Sequence, residues 1–162
     1  MEKIFFILNI SNQKKLNKII LKINSFFKAR KITYFVFQSE YKGHAIKLTK
    51  KAIDEKATSV IACGGDGTVN EIGSLLIGTN IKLGIIPLGS GNGIARHFNI
   101  PFKLNNCLNI IALNKHELID VGKVNSRYFI GNMGLGFESE FIKQYDISNK
   151  HGFYYYFIAF IK

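Results

Sequence analysis

Apolar runs of strand length recur along the chain, and each is followed by residues at helical spacing. KIFFILN (3–9) precedes Leu16, Ile19, Ile20, Ile23 and Phe27, set among lysines. ITYFVFQ (32–38) precedes a weaker face of Ala45, Leu48, Ala52 and Ile53. TSVIAC (58–63) leads into TVNEIGSLLIG (68–78). KLGIIPL (82–88) leads into the short IARHF and then LNNCLNIIALN (104–114), with Leu104, Leu108 and Ile111 on one side. Apolar residues recurring every three to four positions mark a helix with one buried face. Runs that are apolar throughout mark strands covered on both sides. The alternation therefore predicts an α/β fold, a parallel sheet with helices on both faces. Such sheets bind ligands beyond the carboxyl ends of their strands.

Two glycine-rich breaks fall at those ends. In VIACGGDGTVNEI (60–72) the third run stops at Gly64-Gly65, and Asp66, Gly67 and Thr68 open the next helix. Without a Cβ, glycine lets backbone N–H groups approach an anion, and a helix N-terminus adds partial positive charge. Thr68 either caps that helix or bonds a phosphate oxygen. Asp66 repels phosphate, so it works through Mg²⁺ or a substrate hydroxyl; the bland alternative is a tight turn with Asp66 as N-cap. The second break, IPLGSGNGIARHFNIP (86–101), again joins strand to helix and offers Ser90 and Asn92 among glycines. Two such loops at neighbouring strands make one shared anion site. Arg96 either faces it or is solvated; His97 reads as packing or surface. A P-loop needs GxxxxGK[ST] and a dinucleotide fingerprint needs GxGxxG. Neither loop fits.

Bulk properties narrow the classes. A chain of 162 residues makes one domain with a core and is too short for two full-sized ones. Apolar content of 47% with two prolines excludes a disordered chain. The net charge of +11 fits an anionic partner, and it fits equally a genome-wide bias toward Lys, Ile and Asn. A nucleic-acid role has no recognised motif behind it. Cys63 and Cys107 form no CxxC, and His44, His116 and His151 show no metal-ligand spacing, so a reducing cytoplasm is the default. The N-terminus reads as a strand, not a signal peptide, and no apolar stretch reaches the ~18–20 residues of a membrane helix. From about Asp120 the pattern changes: DVGKVNSRYFIGNMGLGF reads as two strands joined at Asn125-Ser126. In the tail FYYYFIAFIK, Phe153, Tyr156, Phe157 and Phe160 form an apolar stripe, which favours self-association, such as a homodimer, or membrane-surface contact; the plainer reading is core packing.

GGDGTVNE (64–71) followed by GIIPLGSGNGIAR (84–96) resembles the catalytic domain of the diacylglycerol and sphingosine kinase family of lipid kinases. Asn9 and Ser11 stand where that family has Asn-Pro-x-Ser-Gly, here without the Pro and Gly. SEYKGHA (39–45) resembles its Thr-x-x-x-x-Gly-His-Ala segment, with Ser39 in the Thr place. Residues 119–139 resemble the entry into its β-rich second domain. Gly93 stands where many bacterial members have Asp.

The resemblance implies a parallel-sheet, layered nucleotide-binding domain similar to phosphofructokinase and NAD kinase over 1–118, with the start of a truncated β-rich second domain over 119–162. It implies ATP and Mg²⁺ as cofactors and a lipid alcohol at a membrane surface as acceptor, with the protein cytoplasmic and peripherally membrane-bound. Gly64, Gly65, Asp66, Gly67, Thr68, Asn70 and Glu71 would contact ATP phosphates, and Gly89, Ser90, Gly91 and Asn92, with Asn9 and Ser39, would complete the nucleotide site. Asp66 would be catalytic and, with Asp120, part of the magnesium network. The chain reads as a fragment, a split gene product or a decayed remnant. The rival readings are an NAD kinase-like enzyme, which shares Gly-Gly-Asp-Gly-Thr, and an inactive nucleotide-binding fragment.

Overall fold

A computed structural model of the chain describes residues 2–132. The chain divides into two units, Met1–Ile130 and Gly131–Lys162, and the first holds the sheet and all the helices of the described residues. The tail stripe and the far end of the expected second strand, 133–137, lie outside the described residues.

Strands β1 (Lys3–Leu8), β2 (Thr33–Gln38), β3 (Ser59–Gly64) and β4 (Lys82–Pro87) form a parallel sheet in the order β2-β1-β3-β4. The chain winds outward from β1 to β2, then crosses back to β3 and β4. The switch point therefore lies between β1 and β3, where sheets of this kind open a crevice at their carboxyl ends. Between the strands run α1 (Gln13–Lys28), α2 (His44–Asp54) and α3 (Asp66–Leu76). After β4 come the short α4 (Gly93–His97) and α5 (Leu104–Ala112).

Side chains of a strand alternate between faces, and β1 shows both layers. Ile4, Phe6 and Leu8 join a core with Leu16, Ile19, Ile23 and Phe27 of α1 and Cys107 and Leu108 of α5. Phe5 and Ile7 join the opposite core with Ala45, Leu48 and Ala52 of α2 and Val69, Ile72 and Leu76 of α3. Phe5 stacks on Phe35 and Phe37 at 4.8 and 5.7 Å between ring centroids. The alternating α/β reading is thus the observed architecture, with α1 and α5 on one face and α2 and α3 on the other. Helix α3 begins two residues earlier than its apolar spacing indicates, because Gly65 is the extended N-cap residue. It stops at Leu76, and Gly78 follows at φ 77°.

The expected hairpin is present as β5 (Gly122–Val124) and β6 (Arg127–Phe129), antiparallel, turning through Asn125 at φ 52°. Asparagine tolerates this left-handed conformation better than most residues. Ile130, just after β6, is buried in the α2–α3 core.

Candidate nucleotide site at the carboxyl ends of the strands

The loops after β3 and β4 meet almost backbone to backbone. Leu88 N–H donates to the carbonyl of Gly64 at 2.9 Å. A Cβ added at Gly89 would lie 2.5 Å from the Cα of Gly65, and one at Gly65 would lie 3.3 Å from the Cα of Gly89. No side chain fits between the loops, so glycine at both positions follows from the approach itself.

Asp66 is the first residue of α3, and it caps a different helix. Its Oδ2 accepts the N–H of Gly93 at 3.0 Å and its Oδ1 accepts the N–H of Ile94 at 2.9 Å. These are the first two donors of α4, which has no cap from its own N-cap residue, Asn92. The carboxylate thus satisfies two orphan helix donors and complements the end of that helix. Each oxygen retains acceptor capacity beyond these bonds. The tight-turn alternative placed Asp66 as the cap of its own helix; the observed cap reaches across to the second loop.

Asn92 closes the second loop on itself. Its Oδ1 accepts the N–H of Gly89 at 2.9 Å and its Nδ2 donates to the carbonyl of Gly89 at 2.6 Å. It is buried and left-handed, at φ 52°. Both the amide's donor and its acceptor are used. Arg96 Nε donates to the carbonyl of Gly91 at 3.1 Å, and its guanidinium lies over the Phe102 ring. So Arg96 braces the loop while its side chain remains exposed. His97 is exposed and packs edge-on to Phe98.

Across the β1–β3 switch point, Asn9 Nδ2 donates to Thr68 Oγ1 at 3.0 Å. Thr68 is the buried third residue of α3 and does not cap it. Ser39 follows β2, its N–H bonded to the Leu8 carbonyl at 2.8 Å. Asn9, Ser39, Gly64 to Thr68 and Gly89 to Asn92 therefore all sit at the carboxyl end of the sheet. Gly67 and Ser90 are exposed, and a Cβ at Gly67 would meet nothing within 4 Å. The first turn of α3 has no side-chain cap, so its N–H groups remain to be satisfied from outside.

Asn70 lies one turn further along α3, and its Oδ1 accepts the N–H of Ile130 at 2.9 Å. Nothing in the sequence marks this latch. Gly73 belongs to it, since a Cβ there would run into the Ile130 side chain. A lone glycine inside a helix pattern was the available signal for close approach. Glu71 is half-buried on α3 and Asp120 is exposed before the hairpin. Among the described residues, no three of His, Cys, Asp and Glu gather into a metal-holding group.

Burial drives both thiols toward the neutral form. Cys63 is pushed far above its usual range, with Cys107 raising it further; Cys107 is pushed up to about 11. A cavity of about 780 Å³ opens along β4, lined by Leu83, Ile85, Phe98 and Ile119 among others. None of the expected site residues lines it, and its apolar walls offer little to a phosphate. The glycine loops carry the chemistry instead.

The family model of the diacylglycerol kinase catalytic domain matches residues 3–124. A "Probable lipid kinase YegS-like" protein of Pectobacterium atrosepticum is 39% identical over 98 residues, covering 58% of this chain and 33% of that protein. Its namesake in Klebsiella pneumoniae is 36% identical over 97 residues, covering 59% and 33%. Among solved structures, "A putative diacylglycerol kinase from Bacillus anthracis str. Sterne" superposes with a TM-score of 0.70 at 27% identity, over 80% of this chain and 48% of that one. The matched stretch is about a third of the length of these curated relatives. With the family model matched over most of its length, this chain belongs to the diacylglycerol kinase catalytic-domain family.

Proposed function

We propose that this chain is the nucleotide-binding part of an ATP-dependent lipid kinase, which transfers a phosphoryl group from ATP to a lipid hydroxyl at a membrane surface. The observation that carries the reading is the contact of two glycine loops, Gly65 against Gly89, beside the uncapped first turn of α3. Backbone N–H groups there meet an anion with no side chain in the way, and the helix end adds positive potential. Residues 64–68 and 89–92 would bind the phosphates, with Asn9, Ser39, Asn70 and Glu71 around them. On this reading residues 1–118 are the kinase domain and a β-rich second domain opens at 119.

The donor set fits a magnesium nucleotide. Asp66 is held in place by two backbone bonds and keeps acceptor capacity on both oxygens. Asp66 and Asp120 are the residues through which Mg²⁺ would be held. When bound, the ion offsets phosphate charge, in chemistry where positioning and neutralisation supply most of the rate. The protein's own part is orientation: Asp66 fixes α4, Asn92 fixes Gly89, and Asn9 fixes Thr68. These three links hold both loops in one register before nucleotide arrives.

The test pairs ATP·Mg²⁺ titration by calorimetry with a radiolabelled transfer assay on mixed lipid acceptors. Gly65→Val is expected to abolish ATP binding while the fold persists, because its side chain would enter the gap to Gly89. Unchanged affinity in that variant would remove the phosphate assignment. The transfer assay compares the 162-residue chain with a fusion to the C-terminal half of a relative; no lipid phosphorylation by either would remove the kinase assignment.

A further inference from the structure

We propose that the face built by α1 and α5 is the surface by which this chain lies on an anionic lipid bilayer. The proposal rests on the kinase reading for a membrane-borne acceptor and specifies which side of the molecule meets it. The carrying observation is a segregation of charge. No acidic residue occurs between Lys3 and Ser39, and none between Ile72 and His116. The first stretch builds α1 and the second builds α5, and the two helices share one core layer. Lys14, Lys15, Lys18, Lys22, Lys28 and Arg30 are all exposed. The opposite layer differs. The stretch from Glu40 to Glu71, which builds α2 and α3, carries as many acids as cations. A codon bias toward lysine would enrich both layers alike. It would not strip acids from one of them.

Apolar side chains are interleaved with the cations. Leu21 is 69% exposed, Leu113 65%, Phe102 50% and Ile110 40%. At about 3.6 residues per turn, Lys14, Lys18, Leu21 and Lys28 fall on one strip of α1, opposite the buried Leu16, Ile23 and Phe27. A basic helix face with apolar residues among its lysines suits a headgroup–acyl boundary, where both kinds of side chain gain. A nucleic-acid backbone would leave the leucines in water. The cations are also mostly lysine, a diffuse point charge, rather than arginine, the residue of bidentate phosphate and base contacts. Helix α1 starts just after the carboxyl end of β1. Lys14 and Lys15 therefore stand at the same end of the sheet as the glycine loops.

The experiment is flotation of the 162-residue protein with phosphatidylserine-rich and with pure phosphatidylcholine vesicles across a salt series. ATP·Mg²⁺ is titrated on the same samples. Binding is expected only to the anionic vesicles and to weaken with salt. Each lysine near an anionic surface is typically worth about fivefold in affinity. Lys14→Glu with Lys18→Glu should therefore weaken binding by at least about 25-fold, with thermal midpoint and ATP affinity unchanged. Leu21→Ser should weaken it several-fold and leave the salt slope alone. Vesicle binding that survives the double charge reversal overturns the proposal, as does absence of binding to anionic vesicles or preferential binding of a DNA duplex. Anionic-vesicle binding without ATP binding would support this surface and count against the kinase reading. The converse would count against this surface alone.

Discussion

Asp66 acts through backbone, and that fixes what its replacement should do. Asparagine keeps one acceptor and turns an NH₂ donor toward an N–H of α4. Asp66→Asn should cost about 2 kcal/mol, the range for a hydrogen bond to a charged group, read as a lower denaturant midpoint at unchanged slope. ATP affinity should fall with it, because the second loop loses its anchor to the first. Magnesium titration of the variant separates the two assignments: a lost Mg²⁺ dependence supports the metal role, and a retained one leaves the clamp alone. Gly89→Ala is the sharper variant. Its methyl would sit 2.5 Å from the Cα of Gly65, and backbone cannot swing away as a side-chain tip can. Overpacking of this kind costs roughly 1–3 kcal/mol, and calorimetry should show ATP binding lost while circular dichroism still shows the fold.

Helix α3 carries two duties along its length. Its first turn faces the glycine loops, and its Asn70–Gly73 face holds the end of the hairpin through Ile130. Asn70→Ala leaves the Ile130 N–H without its partner in a buried setting, at a cost of about 1–3 kcal/mol. The local readout is faster hydrogen exchange at the Ile130 amide, with exchange in β1 and β3 unchanged. Strand β3 and helix α5 meet through Cys63 and Cys107, both buried and both held neutral. Their folded pKa values lie above the ordinary thiol value of 9.0. The contribution of the neutral thiols is therefore complete below pH 9 and shrinks as pH rises through Cys107's value of about 11. Cys107→Ala should flatten that alkaline loss in a denaturation series, and neither thiol should react with an alkylating reagent at neutral pH until the protein unfolds.

For the whole molecule, the site is a surface shared by segments far apart in the chain, near residues 9, 39, 64–68 and 89–92. Ligand that binds only the folded form should therefore stabilise the unit as one. At a hundredfold excess over Kd the gain is about 2.7 kcal/mol, and a thermal scan should show an upward shift with ATP·Mg²⁺ and none with adenosine. A shift with adenosine alone would move the binding energy away from the glycine loops. The charge asymmetry is likewise a property of the whole molecule, because it emerges only when α1 and α5 are brought to one side.

Period, punctuation and local composition were enough to place every strand and helix of the described unit to within about two residues, since each depends on neighbours in sequence. The glycine runs at Gly64-Gly65 and Gly89–Gly91 were legible for the same reason. Glycine directly after a strand run and directly before a helix run has few other uses. The start of α3 was missed because its first turn contains Asp66 and Gly67, which no apolar periodicity marks. The partners of polar side chains were not legible at all. Asp66 meets residues 27 and 28 positions away, Asn9 meets Thr68 59 away, and Asn70 meets Ile130 60 away. A carboxylate or an amide bonds whatever donor the fold brings within about 3 Å, and sequence spacing holds no record of that. The strand order β2-β1-β3-β4 made these meetings, because it set β1 beside β3 and β3 beside β4 and so closed separate loops into one site.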